Sequence, residues 1–316
     1  MPTSPPNRCL RLGSRSSPLA MAQANEAKLR LIAAHGLRDS DVEIVSVRAS
    51  GDKVQDRPLA EIGGKALWTK ELDAALLAGD IDFAVHSAKD VETVRPAAIA
   101  IAAILPREDV RDVLVGAASI AALPDGAVIG TSAPRRAAQL LNLRPDCTVQ
   151  PIRGNVATRL AKLAAGDVDA TFLAAAGLNR LGETGTGHPL DPDQWLPAPG
   201  QAAIAIECRA DHAEMRALLE AIDDAPSREA VLAERSLLAA LGGNCHSPVA
   251  VLTQRLPRGV GLRAVIFSPD GGHRIEAELD FAPDDNEAPL RLADQLLSQA
   301  PAPISACFAG SQDLPK

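Results

Sequence analysis

Residues 128–174, VIGTSAPRRAAQLLNLRPDCTVQPIRGNVATRLAKLAAGDVDATFLA, decide the fold. They read as a short apolar strand, a Gly-Thr-Ser turn, a helix opened by Pro134, a strand closing on Arg153, a second helix, and, after Ala-Gly-Asp, a third apolar strand. Strands that alternate with amphipathic helices are βαβ units and build a largely parallel sheet. The same grammar stands upstream: LRL, a turn through GSRSSP, the helix LAMAQANEAKLRLIAAHG, the strand VEIVSVR, the helix ALWTKELDAALLAGD and the strand IDFAVHS. Gly13 and Gly130, Arg48 and Arg153, and Gly79 and Gly166 keep one order in the two copies. The first copy is longer, with its excess in the first helix and in ASGDKVQDRPLAEIGGK, residues 49–65. Two such halves make a cleft between them. Pro18 and Pro134 suit a first helical turn, where a missing N–H costs nothing, and the turns before them leave backbone donors able to hold anions.

After LPAPGQAAIAIECR, residues 196–209, the pattern changes. The helix SREAVLAERSLLAALGG precedes short alternating strands near PVAVLTQR, LRAVIFS and RIEAELDFA, with the turn SPDGG between the last two, and the helix APLRLADQLLSQA follows. This predicts a small antiparallel α+β domain. In ALGGNCHSPVA, residues 240–250, Cys245 lies in the loop where its first helix ends.

The chain has 316 residues, enough for two or three domains, and is 47% apolar but only 2% aromatic, without tyrosine. Its cores must be built from Ala, Leu, Val and Ile, and base-stacking nucleic-acid modules are disfavoured. A formal charge of -8 argues against a general polyanion binder. The five cysteines are scattered, with no Cys-x-x-Cys pair, so neither a metal site nor a dithiol is indicated and a reducing cytoplasm is expected. No apolar run reaches about 18 residues, and the start has no secretory pattern, so a soluble protein is expected. GxGxxG, the Walker loop, HExxH and GxSxG are all missing.

Basic residues collect at strand ends and helix starts of the doubled region: Arg11, Arg15, Arg48, Lys65, Lys89, Arg135, Arg136, Arg153 and Arg159. Open α/β sheets bind ligands there, and many guanidinium forks suit a ligand with several carboxylates or phosphates. In VHSAKDVE, Asp90 follows an apolar strand and can act as an acid or base, with His86 as the rival for proton transfer. For Cys245 a zinc ligand, a nucleophile, a structural thiol and an attachment point are all open on these residues alone.

The chain closely resembles the porphobilinogen deaminase (hydroxymethylbilane synthase) family, through RLGSRSSPLAMAQA, GGKALWTKEL, DFAVHSAKDV, PREDVRDVLV, IGTSAPRR, IRGNVATRL, AAAGLNRLG, LPAPGQAAIAIECR and the Cys245 loop. The resemblance implies an α/β fold of two type II periplasmic-binding-protein-like βαβ domains plus a small C-terminal α+β domain. The expected boundaries are 8–106 with 202–222, then 107–201, then 223–316. It implies that Cys245 carries a dipyrromethane cofactor through a thioether, and that four molecules of porphobilinogen are condensed into hydroxymethylbilane with loss of ammonia. It assigns Asp90 to the pyrrole N–H groups, the cationic intermediate and proton transfer. Ser17, Lys89, Thr131, Ser132, Arg135, Arg136 and Arg153 would bind the cofactor; Arg11, Arg15, Arg153, Arg159, Arg180 and Lys65 would bind substrate. Residues 49–65 would form a mobile cover, and no metal is implied. A cytoplasmic monomer with no nucleic-acid or membrane partner is expected.

Several residues depart from the family pattern. Ala133 and Pro134 replace part of the usual GTSSLRR, Asn244 replaces a Gly before the cysteine, where tolerance of positive φ would help, Glu61 stands for a Lys, and Ala202 for a Gly. Two other classes fit parts of the sequence: a two-lobed small-anion binding protein, which needs neither the thiol nor the acid, and a Cys-dependent acyl transferase using Cys245.

Overall fold

The computed structural model describes residues 8–47 and 69–308, which divide into two compact units. The first unit takes 64–108 and 202–228 together with the amino-terminal segment. Its sheet contains β1 (Leu10–Arg15), β2 (Val42–Val47), β3 (Phe83–Ser87), β4 (Ile99–Ile104) and β10 (Ile204–Arg209) in the order β2-β1-β3-β10-β4. β1 runs parallel to β2 and β3, whereas β10 is antiparallel to both β3 and β4. The helix Pro18–His35 starts from Ser17, whose side chain accepts from Ala20 N, and stops at Gly36 in the left-handed conformation. Its buried positions Ala20, Gln23, Ala24, Ala27 and Leu31 recur at helical spacing and make one face. That face packs on Leu10, Leu12, Phe83, Val85, Ile204 and Ile206.

The second unit holds two sheets. The strands β5 (Asp112–Val115), β6 (Val128–Gly130), β7 (Thr148–Gln150), β8 (Ala170–Ala174) and β9 (His188–Pro189) are ordered β7-β6-β8-β5-β9. β6 is parallel to β7 and β8, and β5 is antiparallel to β8 and β9. Phe172 and Trp195 stack in its core with ring centroids 4.7 Å apart. The antiparallel meander of β11 (Val249–Leu256), β12 (Gly259–Phe267) and β13 (Arg274–Phe281) forms the third sheet. One of its faces buries Val249, Val251, Leu262, Ala264 and Ile266 against Leu237, Leu292 and Leu296 of the helices Ala225–Ala240 and Ala288–Gln299, and against Leu241 just beyond the first of them. The other places Ala250, Leu252, Val265 and Phe267 on Ala138 and Leu196.

The duplication is present in the topology, with one difference from the sequence reading, in the turn after β1. Each sheet is largely parallel, as expected, with one strand running against the rest, β10 in one and β5 in the other. The expected turn GSRSSP begins later than predicted, because Gly13, Ser14 and Arg15 belong to β1. Gly13 is there for packing: a Cβ would collide with Ile81 Cδ1. Among the described residues no helix is long and apolar enough to cross a membrane. Arg48, Glu61, Lys65 and all of 49–65 lie outside the described residues.

Candidate active site

In the first unit β3 ends at Ser87 and gives way to one 3-10 turn, Ala88–Asp90. Ala88 N donates to Ala203 O at 2.9 Å, which fixes the turn to the segment leading into β10. Asp90 is half-buried beside a cavity of about 50 Å³ that it lines with Arg15, Ser17, Gln23, His86 and Ser87. Gln23 Nε2 donates to Ser87 Oγ at 2.9 Å. Lys89 and Arg15 are half-buried and both engaged in polar or electrostatic contacts. Burial, reinforced by the charge of Arg95, pushes the His86 imidazole down to about 4, so it is neutral at physiological pH.

Behind this wall lies a buried ionic cluster that sequence reasoning missed. Arg95 donates through Nε and Nη2 to the two oxygens of Glu207 at 2.8 and 2.9 Å, through Nη2 and Nη1 to Asp73 at 2.5 and 3.1 Å, and through Nη1 to Glu92 at 3.1 Å. Desolvation opposes the Arg95 charge, but these carboxylates outweigh it and raise its pKa. A signal was available: Glu207 in AIAIECR is a charge inside an apolar strand, and such a charge must be paired. Arg11 does not join the Asp90 group. Its Nη2 donates to Gly79 O at 2.5 Å and approaches Asp82 at 3.8 Å, at the amino end of β1. Four strand steps separate it from Arg15, about 13 Å.

In the second unit the GTSAP turn is closed by its own hydroxyls. Ala133 N donates to Thr131 Oγ1 at 3.1 Å, and Ser132 Oγ donates to Ile152 O at 2.8 Å. Arg135 and Arg136 are buried, which residues expected on a loop-lined surface need not be. Both grip Asp112, at 2.8 and 2.6 Å, and their Nη1 groups donate to Leu196 O and Phe172 O. Asp112 also accepts from Trp195 Nε1 and Gln201 Nε2, each at 2.9 Å. Burial alone would raise this carboxyl, but the two guanidinium groups outweigh it and hold the pKa far below the usual carboxylate range. Asp112 stands within PREDVRDVLV, yet nothing local to that stretch distinguishes it from a surface aspartate. Arg153 and Arg180 are half-buried, and Arg159 Nε donates to Gly154 O at 3.0 Å.

Cys245 is exposed and forms no disulfide, whereas Cys147 and Cys208 are buried, and burial pushes the Cys208 thiol up to about 11. Its turn is held by Asn244, whose side chain accepts from His246 N at 2.8 Å and whose N–H donates to Ser247 Oγ at 3.0 Å. Tolerance of positive φ is not what Asn244 supplies. Among the described residues Ala202 is the only non-glycine with positive φ, at 71°, and the left-handed step in the cysteine loop falls on Gly242.

These features define a duplicated α/β protein whose strand ends carry an acid, hydroxyls and guanidinium groups, with an exposed thiol on an appended antiparallel domain. Residues 10–217 match the model of the porphobilinogen deaminase, dipyromethane cofactor binding domain, and residues 228–298 match that of the porphobilinogen deaminase, C-terminal domain. The chain belongs to the porphobilinogen deaminase family. It is 55% identical over 310 residues to the porphobilinogen deaminase of Sphingopyxis alaskensis, covering 96% of this chain and 98% of that protein. It is 48% identical over 301 residues to that of Paracoccus denitrificans, covering 94% and 96%. Among solved structures, the periplasmic aliphatic sulphonate binding protein SsuA of Escherichia coli is similar at 17% identity and a TM-score of 0.39, covering 73% of this chain and 68% of that one.

Proposed function

We propose that this chain is a hydroxymethylbilane-forming transferase of tetrapyrrole synthesis, condensing four molecules of porphobilinogen head to tail with release of ammonia. The observation that carries the reading is Asp90 at a cavity shared with Arg15 and Ser17, in a chain of this family. A half-buried carboxylate can accept pyrrole N–H groups and stabilise the cation left when ammonia departs. At about 4 Å and an effective dielectric near 20 the attraction is about 4 kcal/mol. The same carboxylate can receive the proton lost when the new carbon–carbon bond restores the aromatic ring.

Cys245 is the proposed thioether anchor of the dipyrromethane cofactor, and the residues fit it: an exposed thiol outside any disulfide can be alkylated, while buried Cys147 and Cys208 are shielded. When bound, the cofactor supplies a pyrrole primer with a nucleophilic α-carbon. Ser17, Lys89, Thr131, Ser132 and Arg153 would hold its acidic side chains, and Arg15, Arg153, Arg159 and Arg180 those of the substrate. Arg135 and Arg136 have their Nη groups committed to Asp112 and to carbonyls. Their part is therefore the surplus positive charge of two guanidinium groups against one carboxylate. Functionally the chain divides into 8–106 with 202–222, 107–201 and 223–316. The reading carries with it a cytoplasmic monomer acting on a small molecule without nucleic acid or membrane; the formal charge of -8 supports the absence of a nucleic-acid partner.

Intact mass spectrometry of the purified protein should show an adduct of two pyrrole units that disappears in C245S. D90N should keep the adduct slot and the fold but lose condensation. An unmodified, alkylatable Cys245 in active protein would falsify the tether.

A further inference from the structure

The wall of the cavity beside Asp90 holds a group that the reaction as described leaves unused. His86 is 5% exposed and lines that cavity with Asp90. Its Nε2 is sealed and lies 3.3 Å from Glu207 Oε2, within ion-pair range but without hydrogen-bond alignment, so the contact is electrostatic. Glu207 cannot turn away, because both its oxygens accept from Arg95. A fixed carboxylate so close favours the proton on Nε2, since a bare Nε2 would set its lone pair against an anion. A neutral ring protonated there keeps Nδ1 as an acceptor. Nδ1 has no hydrogen-bond partner among the described residues, and unlike Nε2 it is not a sealed atom.

We propose that His86 is a second substrate-facing group of the Asp90 site, its Nδ1 accepting a hydrogen bond from an N–H donor of bound porphobilinogen, at the pyrrole or the aminomethyl nitrogen. The proposal rests on the reading of Asp90 given above. The charged groups around the ring are Arg95, Asp73, Asp90 and Arg15, with Glu207 on the neighbouring strand. Burial and the two arginines prevail over the carboxylates, so the ring stays neutral. A neutral acceptor can orient an N–H donor without adding positive charge where the substrate's own cation forms. Asp90 then supplies the charge and His86 the direction, and no proton needs to reach the imidazole.

The test uses the full-length holoenzyme, with intact mass confirming the cofactor in each variant so that failed assembly is separated from failed turnover. H86Q keeps an amide near Glu207 and loses the Nδ1 acceptor, whereas the amide oxygen of H86N falls near the Nδ1 position. Expected is about a tenfold lower kcat/KM for porphobilinogen in H86Q, equivalent to about 1.4 kcal/mol, with H86N recovering most of the loss. Full turnover in H86Q, or equal losses in H86N and H86Q, overturns the proposal. The wild-type holoenzyme gives a measurement free of folding defects: 15N spectra of labelled histidine should show His86 neutral and protonated on Nε2 from about pH 5.5 to 8. A ring protonated on Nδ1, or on both nitrogens at neutral pH, also overturns it. Inactive D90N with unaltered H86Q removes this proposal alone, while active D90N removes the Asp90 reading beneath it.

Discussion

Replacing Asp112 with asparagine probes the most heavily committed charge in the second unit. The carboxylate is 0% exposed and accepts from Arg135, Arg136, Trp195 and Gln201. Asparagine has nearly the same volume, so no cavity forms, but its NH2 group must face guanidinium donors and both cations lose their counter-charge. Two charge-assisted hydrogen bonds at about 1.5–3 kcal/mol each imply a loss of about 3–6 kcal/mol. Removing one partner of a buried ion pair independently implies about 3–5 kcal/mol. A loss of about 4 kcal/mol is therefore expected. Urea unfolding monitored by fluorescence of Trp195, which stacks on Phe172, should show the midpoint fall by about 1.3–2 M at an m near 2–3 kcal/mol/M. The pH dependence supplies a second check. The folded-state pKa lies below the ordinary 3.8, so the contribution is complete above that value and is lost as pH falls below it. Wild type and D112N should therefore converge in acid. A loss below about 1 kcal/mol at neutral pH, or a difference that widens in acid, would refute the account of Asp112 as a charge hub.

R95L leaves the buried carboxylates of Asp73 and Glu207 without their guanidinium partner and should cost about 3–5 kcal/mol in urea unfolding; a near-neutral effect would mean the cluster is not what holds the segment after Asp90. A202G relieves a left-handed conformation costing an alanine about 1–2 kcal/mol, offset in part by about 0.5–1 kcal/mol of added freedom in the unfolded chain, so the variant should gain about 0.5–1 kcal/mol; destabilisation would count against strain at this position. His86 falls from an ordinary 6.5 to about 4 on folding, so its contribution is complete above 6.5 and is lost as pH drops toward 4. That window is worth about 3 kcal/mol for a fully buried ring, and the stability curve of H86N should be flatter across it.

The local grammar of the chain was legible because it is written in near-neighbour terms. Alternating apolar runs, Pro18 and Pro134 at helix starts and the recurring Gly and Arg positions predicted the duplicated βαβ plan, and the meander was legible in the alternation of 249–281. Asp90 and Cys245 stood out because each is a reactive group at the end of a regular element, one after an apolar strand and one after a helix. The antiparallel strands β5 and β10 were not legible as such. Each reaches its sheet by a long-range pairing, and a short apolar run carries no mark of its direction.

What tertiary structure alone decided is the state of the charges. Arg135 and Arg136 read as ligand-binding cations from their place after a turn, yet they are buried on Asp112, more than 20 residues earlier in the chain. Arg11 and Arg15 look alike in sequence, but the strand carries one to Asp82 and the other to the Asp90 cavity. His86 is kept neutral by burial among groups drawn from separate elements. Secondary structure follows from the period of side chains along the backbone, a local property, whereas the protonation and availability of a charged group depend on the dielectric and partners that only the folded packing brings within a few ångströms.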